Sequence, residues 1–212
     1  MSTDKKAMAS LKFDELRHRI GRRFDDVSFK TYDIYDEHQR EIFDMLVQYC
    51  DRLDTHVPDG VNVLLLGPCG TGKDHLAMSI ARDAASQGFT TVWTDGESLY
   101  SELRDSMDSE STSEQEIIRK YVQCDILWIS DPAPTVPLGS RSMGAITDYQ
   151  ARMLYQIIDI RYRKMRPVVM TANSTNVSQF QDLIGHRTCD RIAHNGVVLT
   201  CGWESYRRRE SL

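Results

Sequence analysis

Residues Leu64 to Ile80 read LLLGPCGTGKDHLAMSI, and the order of residue types in that stretch decides the fold. The run VNVLLLG that leads into it is continuously apolar, as a strand buried on both faces must be. Leu76, Ala77, Ile80, Ala81 and Ala84 then recur at helical spacing, so an amphipathic helix follows. Between the two lie Gly67, Pro68, Cys69, Gly70, Thr71, Gly72, Lys73, Asp74 and His75. The three glycines accept backbone angles closed to other residues, which lets successive amides face a phosphate at the start of the helix. Lys73 then reaches the terminal phosphates. A glycine-rich strand-to-helix turn is the plainer alternative, but a lysine at this spacing points to a phosphate-binding loop, or P-loop.

One residue departs from that plan. Asp74 stands where the loop ordinarily has a Ser or Thr hydroxyl on magnesium. A carboxylate is also a hard oxygen ligand, and it adds a negative charge beside a polyphosphate, so nucleotide binding should depend more strongly on magnesium. The other reading is that Asp74 caps the start of the helix.

With 212 residues, 41% of them hydrophobic, the chain can bury one good core and a small appendage. A net charge of -5 argues against a generally basic surface, so any nucleic-acid contact has to come from local patches. Cys50, Cys69, Cys124, Cys189 and Cys201 form no CxxC pair and no zinc spacing, and read as reduced thiols of a cytoplasmic protein. No apolar run approaches the roughly 20 residues of a membrane-spanning helix, and the first ten residues are too polar for a signal peptide.

Outward from the loop, FTTVWT, DILWIS, PVVMTAN and GVVLTCGW read as four further strands. Helical patterns separate them: Glu97 to Met107, a segment ending near Tyr121, Thr147 to Met165, and a short helix around Asp190 to Ala193. Before the loop come a charged helix from Phe13 to Arg23 and an amphipathic one from Asp36 to Leu53. Alternating strands and helices imply right-handed crossovers and a mostly parallel five-stranded sheet flanked by helices, with its ligand at the carboxyl ends of the strands.

Chemistry-bearing residues are expected at those ends. Asp131 follows DILWIS, where an acid can act near the metal or activate water, or can simply start the Asp-Pro turn. Asn173 closes PVVMTAN and either orients the attacking water or opens the NSTN loop. Arg187 and Arg191 are candidates for a charge supplied to a neighbouring subunit's phosphates, Arg191 being the better one. Three basic clusters, RHRIGRR, RYRKMR and RRR, are each readable as solvated surface. In the second, Arg161, Tyr162, Arg163 and Lys164 combine positive charge with a ring able to stack on a base, which makes it the first choice for DNA.

From about Phe24 to Arg208 these motifs resemble the AAA+ ATPases of the DnaC-type helicase loaders and the IstB-type transposition helpers. GTGKDHLA is similar to that family's loop, and YQIIDIRYRKMRPVVMTAN to the segment leading into its first sensor. IGHRTCDRIAHNGVVLTCGWESYR resembles its C-terminal end. The resemblance implies an AAA+ core over residues 24–212, without a substantial C-terminal lid, preceded by a short basic helical extension over residues 1–23. It makes Asn173 the sensor asparagine and Arg191 the arginine finger, and it implies ATP or ADP with Mg2+ as ligands. Partners would be single-stranded DNA, a replicative helicase or a transposase, and further copies of the chain. Two departures stand out. Ser130 replaces the first acid of the family's acidic pair, which predicts slow turnover or, as the alternative, a nucleotide-gated interaction module that binds ATP with little or no hydrolysis, and the segment expected to meet DNA, Leu99 to Tyr121, is predominantly acidic.

Overall fold

The computed structural model describes residues 3–107, 113–133 and 146–209. Most of the proline-rich turn after Asp131 and the first five residues of the DSESTSEQE connection fall outside them. Five strands form one parallel sheet: β1 Asn62–Leu66, β2 Thr91–Asp95, β3 Ile126–Ser130, β4 Val168–Ala172 and β5 Gly196–Thr200. Their order is β2-β3-β4-β1-β5, so the loop-bearing strand β1 lies between β4 and β5. Val63 is in register with Val169 on one side and with Val197 on the other.

Every residue of β1, β3 and β4 is buried, which is why these strands are apolar without alternation. Successive side chains serve opposite faces. Val63 and Leu65 join one core with Ile126 and Trp128, while Leu64 and Leu66 join the other with Leu127 and Ile129.

The first face is covered by α1 Thr3–Ile20, α2 Glu37–Asp51, the single turn α3 Leu53–His56 and α4 Lys73–Ser86. The helix α1 starts ten residues earlier than its periodicity announces, and it packs on α4 and β2 with Phe13 and Leu16 inside the main core. The basic extension therefore shares its apolar stripe with the rest of the molecule.

The second face carries α5 Gly96–Asp105, α6 Glu114–Gln123, α7 Asp148–Arg163, α8 Val177–Ile184 and α9 His186–Ala193, and a last turn, α10 Tyr206–Arg209, follows β5. The helix α8 has no counterpart in the reading of the sequence. Its signals are short: Asn176 caps it by accepting from the Gln179 amide, and Phe180 and Ile184, one turn apart, are its buried residues.

Candidate active site

The loop's shape is enforced by its neighbours. A β-carbon on Gly67 would collide with the Cys201 carbonyl, and one on Gly70, which has φ +84°, would collide with the Ser205 hydroxyl. Only glycine lets the segment after β5 come this close. Thr71 is buried and donates to the Pro68 carbonyl at 3.0 Å, tying the turn across itself. Cys69 is exposed beside it.

Lys73 opens α4 and is only 6% exposed. Its ammonium donates to the carbonyls of Gly67 and Pro68, both at 2.9 Å, and to Asn173 Oδ1 at 3.0 Å. These three acceptors are neutral, and a phosphate oxygen would be a stronger, charge-assisted one.

Asn173 is the hinge of the arrangement. Its Nδ2 donates to Asp131 Oδ2 at 2.7 Å and its backbone amide to Asp131 Oδ1 at 3.0 Å. Lys73, Asn173 and Asp131 thus form one continuous chain of hydrogen bonds from the loop to the end of β3. Asp131 adopts φ +43°, a conformation costly to a non-glycine residue, with its amide bound to the Thr171 carbonyl at 2.8 Å. Burial raises its carboxyl pKa above the ordinary value, and the nearby charge of Asp74 adds to that. The Lys73 charge and the Asn173 hydrogen bonds act against it.

Asp74 faces the ends of β3 and β4. Its Oδ1 accepts from Thr171 Oγ1 at 2.7 Å and from Ser130 Oγ at 3.0 Å, and the two hydroxyls are 3.3 Å apart. Ser130, expected as a loss, is in this way a partner of Asp74. Among the described residues no three His, Cys, Asp or Glu side chains form a metal cage. A single carboxylate beside two hydroxyls is nonetheless a hard-oxygen set that fits magnesium, which keeps several waters and draws other ligands from phosphate.

Two segments that the sequence did not mark complete the walls. His75 Nε2 lies 2.9 Å from the Ser28 carbonyl and its ring 5.1 Å from that of Tyr32, which docks the segment before α2 on the loop. Burial lowers the His75 pKa, so the ring is neutral near pH 7. From the other end, Trp203 Nε1 donates to the Thr71 carbonyl at 2.8 Å, and the Tyr206 amide donates to the Gly70 carbonyl at 2.9 Å. The cavity between them, about 450 Å³, is lined by Phe24, Val27, Tyr32 and Tyr206 as well as by Lys73, Asp74, Asp131 and Asn173. Aromatic density in YDIYD and GWESYR was the available signal.

The remaining candidates lie elsewhere. Asn62, the first residue of β1, donates to the carbonyls of Arg191 and Ile192, so Arg191 sits at the amino end of the sheet. Five strand residues, roughly 17 Å, separate that end from the loop. Arg191 Nε donates to Asp159 Oδ1 at 2.7 Å, with the guanidinium 4.7 Å from the centre of the Tyr155 ring.

Arg161 corrects an expectation. It is fully buried and donates to the carbonyls of Tyr121, Cys124, Asp125 and Pro167, so it staples α7 to the starts of β3 and β4 and offers nothing to DNA. Tyr162, Arg163 and Lys164 remain exposed, with Arg163 paired to Asp159 at 3.0 Å.

A parallel sheet with a glycine-rich loop and lysine after β1, an acid after β3 and an asparagine after β4 defines a P-loop ATPase of the AAA+ type. The chain belongs to the family described as IstB-like ATP binding protein, whose pattern matches residues 5–212. It is 27% identical to the replicative helicase loader DnaC of Escherichia coli K12 over 185 residues, 86% of this chain and 69% of that one. It is 29% identical to an ATP-binding protein of insertion sequence IS5376 from Geobacillus stearothermophilus over 206 residues, 94% of this chain and 72% of that one. The crystal structure of the DnaC helicase loader shares the fold, with a TM-score of 0.73 at 17% identity over 85% of this chain and 99% of that one.

Proposed function

We propose that this chain is a cytoplasmic DNA-replication accessory ATPase of the loader type, which uses magnesium-ATP in a homo-oligomer to deliver a replicative helicase to single-stranded DNA. The observation that carries the ATP chemistry is the unbroken chain Lys73–Asn173–Asp131, which joins the phosphate-binding loop to the carboxylate that directly follows β3. Lys73 and the loop amides bind the phosphates. Asn173 holds the Asp131 carboxylate at both oxygens, so that it accepts a hydrogen bond from the attacking water and takes its proton. Asp74 would hold magnesium, with Ser130 and Thr171 fixing its carboxylate, and the bound ion would supply neutralisation of the phosphate charge.

Arg191 supports the shared site. At the amino end of the sheet it cannot serve its own loop, but its guanidinium is held ready by Asp159 and Tyr155 to serve the loop of a neighbouring copy. DNA contact is assigned to Tyr162, Arg163 and Lys164 at the same end.

A second reading, delivery of a transposase to target DNA, is favoured by the similarity to the insertion-sequence protein, which covers 94% of this chain against 86% for the helicase loader.

The test is ATP hydrolysis across magnesium and protein-concentration series, with and without single-stranded DNA. Turnover that requires Lys73 and Asp131 and rises with DNA is expected, and tight ATP binding without turnover would overturn the motor. Capture of a replicative helicase against a transposase then separates the two clients.

A further inference from the structure

The usual arrangement of the P-loop metal site pairs a hydroxyl on the loop with an aspartate at the end of another strand of the sheet. Here the residue types are reversed, with the carboxylate at position 74 on the loop and the hydroxyl at position 130 on the strand. The contact between the two elements is kept: Ser130 Oγ donates to Asp74 Oδ1 at 3.0 Å. One hydroxyl and one carboxylate remain, so the net charge of the pair is unchanged. Thr171 adds a second donor to the same Oδ1 at 2.7 Å, and no hydrogen bond reaches Oδ2 among the described residues. Asp74 also lines the cavity that holds Lys73 and Asp131.

We propose that the acid and the hydroxyl of the metal site have exchanged places between loop and strand, with Asp74 the charged magnesium ligand and Ser130 its orienting donor. This rests on the reading of the loop as a magnesium-ATP site. It differs from simple loss of the strand acid, because a lost acid would leave the metal site one charge short. It also differs from a helix cap, because the carboxylate is turned to β3 and β4 by two side-chain donors from outside its own helix. The exchange brings a full negative charge onto the loop itself, directly beside the bound phosphates. ATP without metal should therefore be repelled, and ATP with metal held firmly.

The decisive quantity is the ratio of the ATP dissociation constants in EDTA and in magnesium, measured with a fluorescent ATP analogue on the full chain. Manganese binding, followed by its paramagnetic resonance in the presence of the non-hydrolysable analogue, is an independent readout. Asp74→Ser should lower the ratio by about tenfold or more, chiefly by weakening the magnesium complex. Asp74→Asn keeps an oxygen acceptor for both hydroxyls and should lower it as well, which guards against a folding defect in the first variant. Ser130→Asp alone sets two carboxylates within hydrogen-bond reach and should impair binding. The double variant Asp74→Ser with Ser130→Asp should return the ratio to within about threefold of the original.

An unchanged ratio and unchanged manganese binding in Asp74→Ser and Asp74→Asn would overturn the proposal. A double variant no better than its component singles would overturn the exchange and leave Asp74 an ordinary ligand. Failure of the unaltered chain to bind ATP at all would instead overturn the reading of the loop on which the proposal depends.

Discussion

Asp131 illustrates how one side chain sets a pH limit. Burial and the Asp74 charge raise its pKa, and hydrolysis requires the ionised form. As pH falls, the proton therefore returns at a higher pH than on an exposed aspartate, and the acid limb of the rate profile should be displaced upward. A profile of kcat against pH checks this, and an acid limb at the ordinary aspartate value would count against Asp131 as the base. Asp131→Asn should abolish turnover while ATP binding stays within a few-fold. The sign for stability is the opposite: a raised folded-state pKa means that ionised Asp131 costs folding energy near neutrality and relaxes as pH falls through that pKa.

Arg161 is the complementary case, a charged group whose role lies in folding. It donates to four backbone carbonyls, and these lose their donor if it is removed. Arg161→Ala should cost about 3 kcal/mol or more in denaturant unfolding, with no specific change in DNA affinity. Loss of DNA binding in a stably folded Arg161 variant would contradict this.

At the level of elements, the inner strands β1, β3 and β4 were legible because burial on both faces leaves a continuous apolar signature, and the edge strands β2 and β5, only partly buried, were legible from their β-branched and aromatic residues between turn signals. The loop was legible because few residue orders tolerate its turn. Three things were not. The helix α8 is brief, and its burial rests on Phe180 and Ile184, too few positions for periodicity to announce it. Arg161 looked like one of a surface cluster because sequence reports charge but not which side of α7 faces the sheet. Nor could spacing reveal that Trp203 and Tyr32 reach the loop, since both act from beyond the motif. Trp203→Phe removes the donor to the Thr71 carbonyl, and it should weaken ATP binding by about three- to tenfold while costing roughly 1 kcal/mol of stability. Leu16→Ala in α1 should cost about 2 to 4 kcal/mol, measurable by urea unfolding, because this residue is 2% exposed within the main core.

For the whole molecule, the distance between the loop and Arg191 is the informative one. If Arg191 completes a neighbour's site, Arg191→Ala should leave ATP affinity near normal and lower turnover by about a thousandfold or more. Mixing that variant with Lys73→Ala should restore part of the activity, since each supplies what the other lacks. No recovery on mixing would show that the sites act alone.

The strand order also has a consequence for how the chain is made. β1 is synthesised well before both of its partners, since β4 and β5 are encoded more than a hundred residues downstream. The loop-bearing strand, which lies between β4 and β5, must wait for those downstream segments to be made before it gains neighbours. Cys201 and Trp203, which press on that loop, come later still. A nascent chain halted before β5 would carry the entire glycine-lysine motif and have no site for ATP, so nucleotide capture marks the completion of this domain on the ribosome.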